Sequence, residues 1–478
     1  MSSLLLEWIG GLYAASVWGL AAYGAALAVA LAVAVWHRRP RPPAPAPDEA
    51  GWPTVLVQLP VFNERSVVER LIDAAAALDY PAGRLMIQVL DDSTDDTAAR
   101  AWARVAALRA RGVPITYQHR RGRDGFKAGA LAAGLASAPE AEFVAVFDAD
   151  FAPAPDFLRR LIPDFLADPR LGMVQARWEH LNAGQNAVTR AQALAFDGYF
   201  AVDQVARSRA GWPMNFNGSA GVWRRACIDD AGGWQGDTLA EDLDLSYRAQ
   251  LQGWRLDYRP EVAAPAELPP SLLAVKRQQF RWAKGSFQVW RKLGARLLAS
   301  RRPLHHKVLG WLHLSGYLSH PLALASLLLS LPVVLLEGHT PVRWDLLGWL
   351  SLAPPLVTIW GQIRLRRKAW RLRDYPILVI GMIGLALGNT RAFWEALTGQ
   401  ASEFQRTPKA SAYTVPLDWT TWGELLLALY AAATGLLALE RAPGLAPMLC
   451  LYALGFGGVA ALSLWEAWSS QPQTEMEW

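Results

Sequence analysis

Cysteine is almost missing from this chain. Cys227 and Cys450 are the only two in 478 residues, which excludes a disulfide framework and a cysteine-ligated zinc cluster and leaves two inert buried thiols. Charge is sparse too: 19% of residues are charged against 52% hydrophobic, and the mean hydropathy is +0.11. The net charge of +5 and pI near 9.2 would suit a nucleic-acid partner, yet no soluble stretch interleaves basic residues with aromatics. Nucleic-acid binding is therefore set aside. Arg and Lys stand instead beside apolar segments, the positive-inside pattern of a protein facing anionic lipid. Trp is abundant, at 23 residues, and its ring is at home where a membrane meets water. A chain of this length divides into roughly three domain-sized units.

Tyr13 to Trp36 is an uncharged apolar run long enough to span a bilayer. The basic cluster His37-Arg38-Arg39-Pro40-Arg41 follows it, the reverse of a signal peptide's order. Residues 1–37 thus read as a membrane anchor, N-terminus outside. The Pro- and Ala-rich residues 38–52 read as a semi-rigid linker. From residue 53 to 270 short apolar strands alternate with helices, which predicts βαβ units and a parallel sheet covered on both faces. The predicted strands are Thr54–Gln58, Leu85–Leu90, Ile115–His119 and Phe143–Phe147; the helices are Ser66–Leu78, Thr97–Arg111 and Phe126–Ala136.

Residues 271–304 mix Leu, Phe and Trp with Lys and Arg, the mark of one or two amphipathic helices in a membrane interface. Apolar spans follow at Val308–Leu336, Trp344–Ile363, Glu424–Leu439 and Met448–Trp468 within a channel-forming region 305–468. Arg364 to Lys368 is cytoplasmic by its charge. Ile377 to Gly388 is apolar but short, and reads as interfacial or re-entrant. That makes five spans with the anchor, and keeps the loop Glu403 to Lys409 cytoplasmic. The tail 469–478 is too short for a further domain.

Chemistry concentrates where strands end. FVAVFDAD, Phe143 to Asp150, is a buried strand that stops in two carboxylates, Asp148 and Asp150. Ligands of α/β sheets bind at the carboxyl ends of strands. Neighbouring carboxylates repel unless a cation lies between them, and Mg²⁺ or Mn²⁺ favours carboxylate plus phosphate oxygens. Four more polar clusters accompany this one: Gln58 to Glu64, Asp91 to Asp95, Glu241 to Asp244 and Gln278 to Trp282. Alone, each has a bland reading: Asp91 to Asp95 as a helix cap, Glu241 and Asp242 as negative charge at a helix start, Arg281 and Trp282 as lipid-interface residues. Together they would crowd one sheet edge with unpaired charge unless it binds a cation or a polar ligand.

Asp91-Asp92, Asp148-x-Asp150, Glu241-Asp242 and Gln278-x-x-Arg281-Trp282 resemble, in order, the D, DxD, TED and QxxRW signature of processive family 2 glycosyltransferases. QLPVFNER, IQVLDDSTDDT, FKAGAL, VAVFDADF, VQARW, FNGSAGVWR and EDLDL are most similar to the plant cellulose-synthase-like A and C groups, makers of mannan and of the xyloglucan backbone. The resemblance runs from about Val55 to Trp290, with a further piece, Phe404 to Lys409, similar to a gating loop.

The resemblance implies an α/β GT-A nucleotide-sugar domain joined to an α-helical transmembrane domain in the plasma or inner membrane, with catalysis on the cytoplasmic side. It implies an inverting transfer from UDP-glucose or GDP-mannose to a β-linked, β-1,4 polysaccharide, with possible secretion of the product. Asp91 or Asp92 would hold the nucleoside, and Lys127 would lie near the diphosphate. Asp148 and Asp150 would bind Mg²⁺ or Mn²⁺. Asp242 would be the general base, positioned by Glu241. Gln278 and Arg281 would support the diphosphate, and Trp282 would stack on the acceptor, near Asn217, Gly218 and Ser219. Thr407 and Lys409 would close over the nucleotide within a gating-like region 375–417. Two positions depart from the pattern: Ala240 stands where many members carry Thr, and Arg406 replaces the Val of the gating motif. Alternatives are a transferase acting on a lipid such as ceramide, and a transporter or scaffold with an inactive transferase domain. The intact carboxylate set argues against the latter.

Overall fold

The computed structural model describes residues 3–335, 349–365, 367, 369–400 and 417–469. Its first helix, α1 (Ser3–Trp36), carries the predicted apolar run. The α/β portion then follows as β1 (Val55–Val61), α2 (Val68–Ala76), β2 (Leu85–Asp91), α3 (Thr97–Ala110), β3 (Ile115–His119), α4 (Phe126–Ala136) and β4 (Phe143–Val146). It continues through α5 (Phe157–Ala167), β5 (Leu171–His180), α6 (Ala187–Gly198), a π-helical turn (Tyr199–Asp203) and α7 (Gln204–Ala210). It closes with β6 (Gly221–Arg224), α8 (Arg225–Asp230), α9 (Glu241–Leu251) and β7 (Arg255–Ala266). Every strand and helix expected in the first half of this domain is present, with ends moved by a few residues.

One sheet takes all the strands, in the order β3-β2-β1-β4-β6-β5-β7. It is mixed rather than parallel. β1, β2, β3 and β4 pair in parallel, but β6 runs antiparallel to both β4 and β5. The expectation of a parallel sheet is corrected here: the chain leaves β5 through α6, the π-helical turn and α7, and β6 then enters between β4 and β5 running opposite to both. Both faces are covered, as alternation requires. Val55, Val57 and Leu59 pack on one side with Leu71, Val105 and Leu161. Leu56, Val144 and Val146 pack on the other with Leu131, Leu245 and, from α1, Ala30 and Ala34. The residues read as a linker are strapped to β7, since Arg41 pairs with Asp257 and its carbonyl accepts from Arg259 Nη1 at 3.0 Å.

Beyond the sheet, α10 (Leu272–Ala299) is one long amphipathic helix, followed by α11 (Leu304–Leu314) and α12 (Ser319–Leu335). Among the described residues five helical stretches are long and apolar enough to cross a membrane: Glu7–Trp36, Gly316–Leu335, Ala369–Thr398, Thr420–Arg441 and Pro443–Ser469. The chain is an integral membrane protein. These are not the same five segments that hydropathy predicted. Trp344–Ile363 is described only from residue 349, and its helix Ala353–Arg364 has 12 residues. Ala369–Thr398 meets the length criterion instead.

Salt bridges show how that stretch lies. Asp374 at its start accepts from Arg190 of α6 at 3.0 Å, and Glu395 near its end pairs with Lys284 of α10 at 2.8 Å. Its helix breaks at Leu385 between the two. Arg371, in the same stretch, pairs with Asp197 of α6 at 3.2 Å. Other apolar helices are tied to α10 as well: Glu424 pairs with Lys276 at 2.8 Å. Glu466 accepts from the Leu272 and Leu273 amides at 2.7 and 3.0 Å, capping the start of α10.

Candidate active site

Register brings the strand ends together. Val61 is level with Asp91, and Gln58 with Val146, so the residues that follow β1, β2 and β4 emerge at one edge. The two aspartates at the end of β2 then part. Asp91 is fully buried, accepting from the Ser93 amide at 2.8 Å and the Tyr117 hydroxyl at 2.6 Å, and it does not line the cavity. Asp92 does line it and takes a two-pronged contact from Arg120, 2.7 Å from Nε and 2.5 Å from Nη2. Of the pair proposed for the nucleoside, Asp92 is the one within reach.

Asp148 and Asp150 both line the cavity. The Asp148 amide donates to Ser219 Oγ at 2.9 Å, and its carboxylate meets Lys127 Nζ at 2.5 Å. Lys127, from the first turn of α4, also donates to the Gly218 carbonyl at 2.7 Å and lies 3.7 Å from Glu241. Burial works against this ammonium, but Asp148, Glu241 and Asp242 outweigh it and hold its pKa above the ordinary lysine value. Gly218 has φ +81°, and a Cβ there would come within 2.9 Å of Asp242 Oδ2. Both facts favour glycine at that point. Ser219 is buried beneath the loop and supports it, whereas Asn217 and Gly218 face the cavity.

Glu241 and Asp242 open α9, where the amides of the first turn favour negative charge. Asp242 Oδ1 accepts from the Leu243 amide at 2.8 Å. Burial, then Glu241, push its carboxyl up to about 7, against the pull of Lys127 and that amide. A carboxylate poised there suits a general base at neutral pH. Ala240, the departure from the family pattern, touches α10: a Cβ on Gly285 would meet Ala240 Cβ at 2.8 Å. This close approach seats α10 against α9 and sets Gln278, Arg281 and Trp282 along the same cavity. Burial lowers Arg281 from the usual guanidinium range, resisted by Glu241, Asp148, Asp242 and Asp150.

The cavity also takes residues that no spacing in the sequence singled out. Arg123 lies 3.4 Å over the Phe62 ring beside Asp92. Trp178, His180 and Phe196 form a wall with Trp282. The placement of Trp178 and His180 near the end of β5 was hard to foresee, because its ladder jumps from Ala176–Arg259 to Arg177–Ala263. Thr407 and Lys409 lie outside the described residues, as does Arg406.

Does the donor set suit a divalent cation? Among the described residues no cluster of three or more His, Cys, Asp or Glu could hold a metal ion by itself. Asp148 and Asp150 offer hard oxygen ligands in a cavity that also carries Lys127 and Arg281. That is the pattern of Mg²⁺ or Mn²⁺ held by one or two carboxylates and completed by substrate phosphates and water. The residues fit such an ion.

Residues 53–285 match "Glycosyltransferase like family 2". The chain is 36% identical over 373 residues to glucomannan 4-beta-mannosyltransferase 2 of Arabidopsis thaliana, covering 75% of this chain and 68% of that one. It is 35% identical over 369 residues to glucomannan 4-beta-mannosyltransferase 1 of Oryza sativa subsp. japonica, covering 75% and 70%. Among solved structures, the mannosyltransferase PcManGT of Pyrobaculum calidifontis, in complex with GDP-Man and Mn²⁺, superposes with a TM-score of 0.54 at 22% identity, over 83% of this chain and all of that one. That likeness supports the GT-A architecture of the mixed sheet. With the strand-end carboxylates, Lys127 and Arg281 gathered in one cavity and this degree of identity, the chain belongs to the family 2 glycosyltransferases, homologous to the plant glucomannan 4-beta-mannosyltransferases, and is a hexosyltransferase.

Proposed function

We propose that the protein is a processive, inverting β-1,4-mannosyltransferase that extends a mannan or glucomannan chain from a nucleotide-linked hexose. GDP-mannose is the favoured donor: the relatives are named as mannosyltransferases and the superposable archaeal protein holds GDP-Man. One observation carries the reading. Asp242, at the start of α9, shares a cavity with the Asp148–Asp150 pair on one side and the Trp282 wall on the other.

In that reading the diphosphate lies against Lys127 and Arg281, whose positive charge offsets what the leaving group gains. Asp148 and Asp150 hold Mg²⁺ or Mn²⁺, which when bound adds to that compensation. A sugar hydroxyl is a weak nucleophile, so Asp242 accepts its proton as the hydroxyl attacks the anomeric carbon, a contribution of about 10²- to 10⁴-fold. Glu241 keeps Lys127 near that carboxylate, and Gln278 supports the donor. Trp282 presents a flat face to the pyranose, over which a lengthening chain can advance. Asp92 and Arg123 border the nucleoside.

The membrane portion fits a polymer maker whose active site faces the cytoplasm. Asp374, Glu395, Glu424 and Glu466 are all tied to α6 or α10, so the ends they mark lie on the catalytic side. We read Ala369–Thr398 as an interfacial hairpin on these grounds, despite its length.

The test uses membrane vesicles exposing the catalytic side, supplied with Mn²⁺ or Mg²⁺ and labelled GDP-mannose or UDP-glucose in parallel. A large product from GDP-mannose, cut by β-mannanase, is expected. A product cut only by β-1,4-glucanase would transfer the donor assignment to UDP-glucose, and a small organic-extractable product would overturn the polymer reading.

A further inference from the structure

Two acidic residues stand directly beside the aromatic wall of the cavity without lining it. Glu179 follows Trp178 on β5, and Asp197 follows Phe196 on α6. Trp178 and Phe196 line the cavity, whereas Glu179 and Asp197 do not. Neighbouring side chains of a strand take opposite faces, so Glu179 backs the strand end that presents Trp178. Asp197 is buried.

One guanidinium spans the two carboxylates. Arg367 Nη2 donates to Glu179, and Arg367 Nε lies 3.5 Å from Asp197 Oδ2. Among the described residues no other cation pairs with both. Arg177 holds Glu179 at 2.6 Å, while Gln362 and Arg371 hold Asp197 at 3.1 and 3.2 Å. Arg367 comes from the membrane portion, just past the helix Ala353–Arg364. Its amide donates to the Gln362 carbonyl at 2.8 Å. Gly361 seats that helix on α6, since a Cβ there would come within 3.0 Å of the Asp197 carbonyl. The root of the Arg367 side chain is thus fixed against α6, and its fork reaches from there to β5.

A buried carboxylate such as Asp197 is costly unless paired, and a satisfied buried network rigidifies the elements it joins. The elements joined here carry the two halves of one wall. Trp178 and Phe196 stand 5.8 Å apart between ring centroids, and Phe196 is 6.2 Å from Trp282.

We propose that Arg367 is a positioning residue for the acceptor: by holding Glu179 and Asp197 together, it sets the spacing of Trp178 and Phe196, on which, with Trp282, the growing glycan rests. The assignment rests on the polysaccharide-transfer reading above and deepens it. Arg367 does not line the cavity, so it acts through the wall. Its loss loosens the chain between successive transfers and leaves the donor side intact.

The experiment uses the full chain in detergent with labelled GDP-mannose or UDP-glucose, whichever the wild type accepts, and sizes the polymer made. R367Q should release chains about three- to tenfold shorter, with the donor KM within about twofold of wild type and nucleoside diphosphate binding intact. R367K keeps the charge but lacks the fork, so its products should be of intermediate length. A merely structural loss would lower the amount of product and leave its length unchanged. That result overturns the proposal, as does a donor KM that rises in step with the shortening. If R367Q binds no nucleotide and so has not folded, E179Q takes its place, because it releases β5 from Arg367 and leaves Asp197 paired. Shorter chains are then expected, and chains of wild-type length overturn the proposal. If the wild type makes no polymer from either donor, the polysaccharide reading itself fails and this assignment with it.

Discussion

Asp242 illustrates how a side chain gains its chemistry from its neighbours. Its position after Glu241 was legible in the sequence, but its elevated pKa comes from burial and from Glu241 packed beside it. Replacing it with Asn should lower transfer by about 10²- to 10⁴-fold while GDP-mannose binding, measured by calorimetry, persists. The pH profile follows from the same shift. A group with pKa about 7 is protonated below that value and then cannot accept a proton. The rate kcat/KM should therefore fall about tenfold per unit as pH drops below ~7, and steady-state rates from pH 5 to 8 would reveal a flat profile if Asp242 were not the base. Asp150→Ala should abolish the part of GDP binding that depends on Mn²⁺. Equal binding with and without the ion in the wild type would remove the cation from Asp148 and Asp150.

At the scale of elements, the site depends on two places where backbones meet closely. Gly285 lets α10 lie against Ala240, and Gly218 lets its loop pass Asp242. Neither glycine was identifiable as a contact point from spacing, because its partner is distant in sequence. Gly285→Val should force α10 away from α9 and cost transfer about 10²-fold through misplacement of Arg281 and Trp282, with GDP binding weakened less. Stability is carried partly by ties between α10 and the apolar helices. Lys284 is fully buried beside Glu395, so Glu395→Ala should destabilise the fold by about 3–5 kcal/mol, as expected when one partner of a buried pair is removed. Thermal unfolding in detergent measures this, and a change below about 1 kcal/mol would mean that the pair is hydrated in the membrane-embedded protein.

For the molecule as a whole, the ties of the apolar helices to α6 and α10 bear on how they thread the bilayer. Hydropathy sees length and composition, and on those grounds Ala369–Thr398 crosses. Its ends, however, are paired with α6 and α10. Cys227 is buried as expected, but Cys450 is exposed; with Cys450 changed to Ser, single cysteines at Trp370 and Gly399 should both react with an impermeant maleimide from the catalytic side. Labelling from opposite sides would establish a crossing.

Sequence alone determined the class of fold, four of the five long apolar stretches among the described residues and the acidic strand ends, because these rest on local periodicity and on residue types that a buried strand end does not tolerate without a partner. It also supplied the family motif by motif. What only the tertiary structure decided is relational. The reversal of β6 places Gly218 beside Asp242, and of two adjacent aspartates Asp91 faces inward while Asp92 faces the cavity. The irregular end of β5 brings His180 into an aromatic wall built from α6 and α10. These depend on contacts between segments far apart in the chain, and packing, not local propensity, sets them.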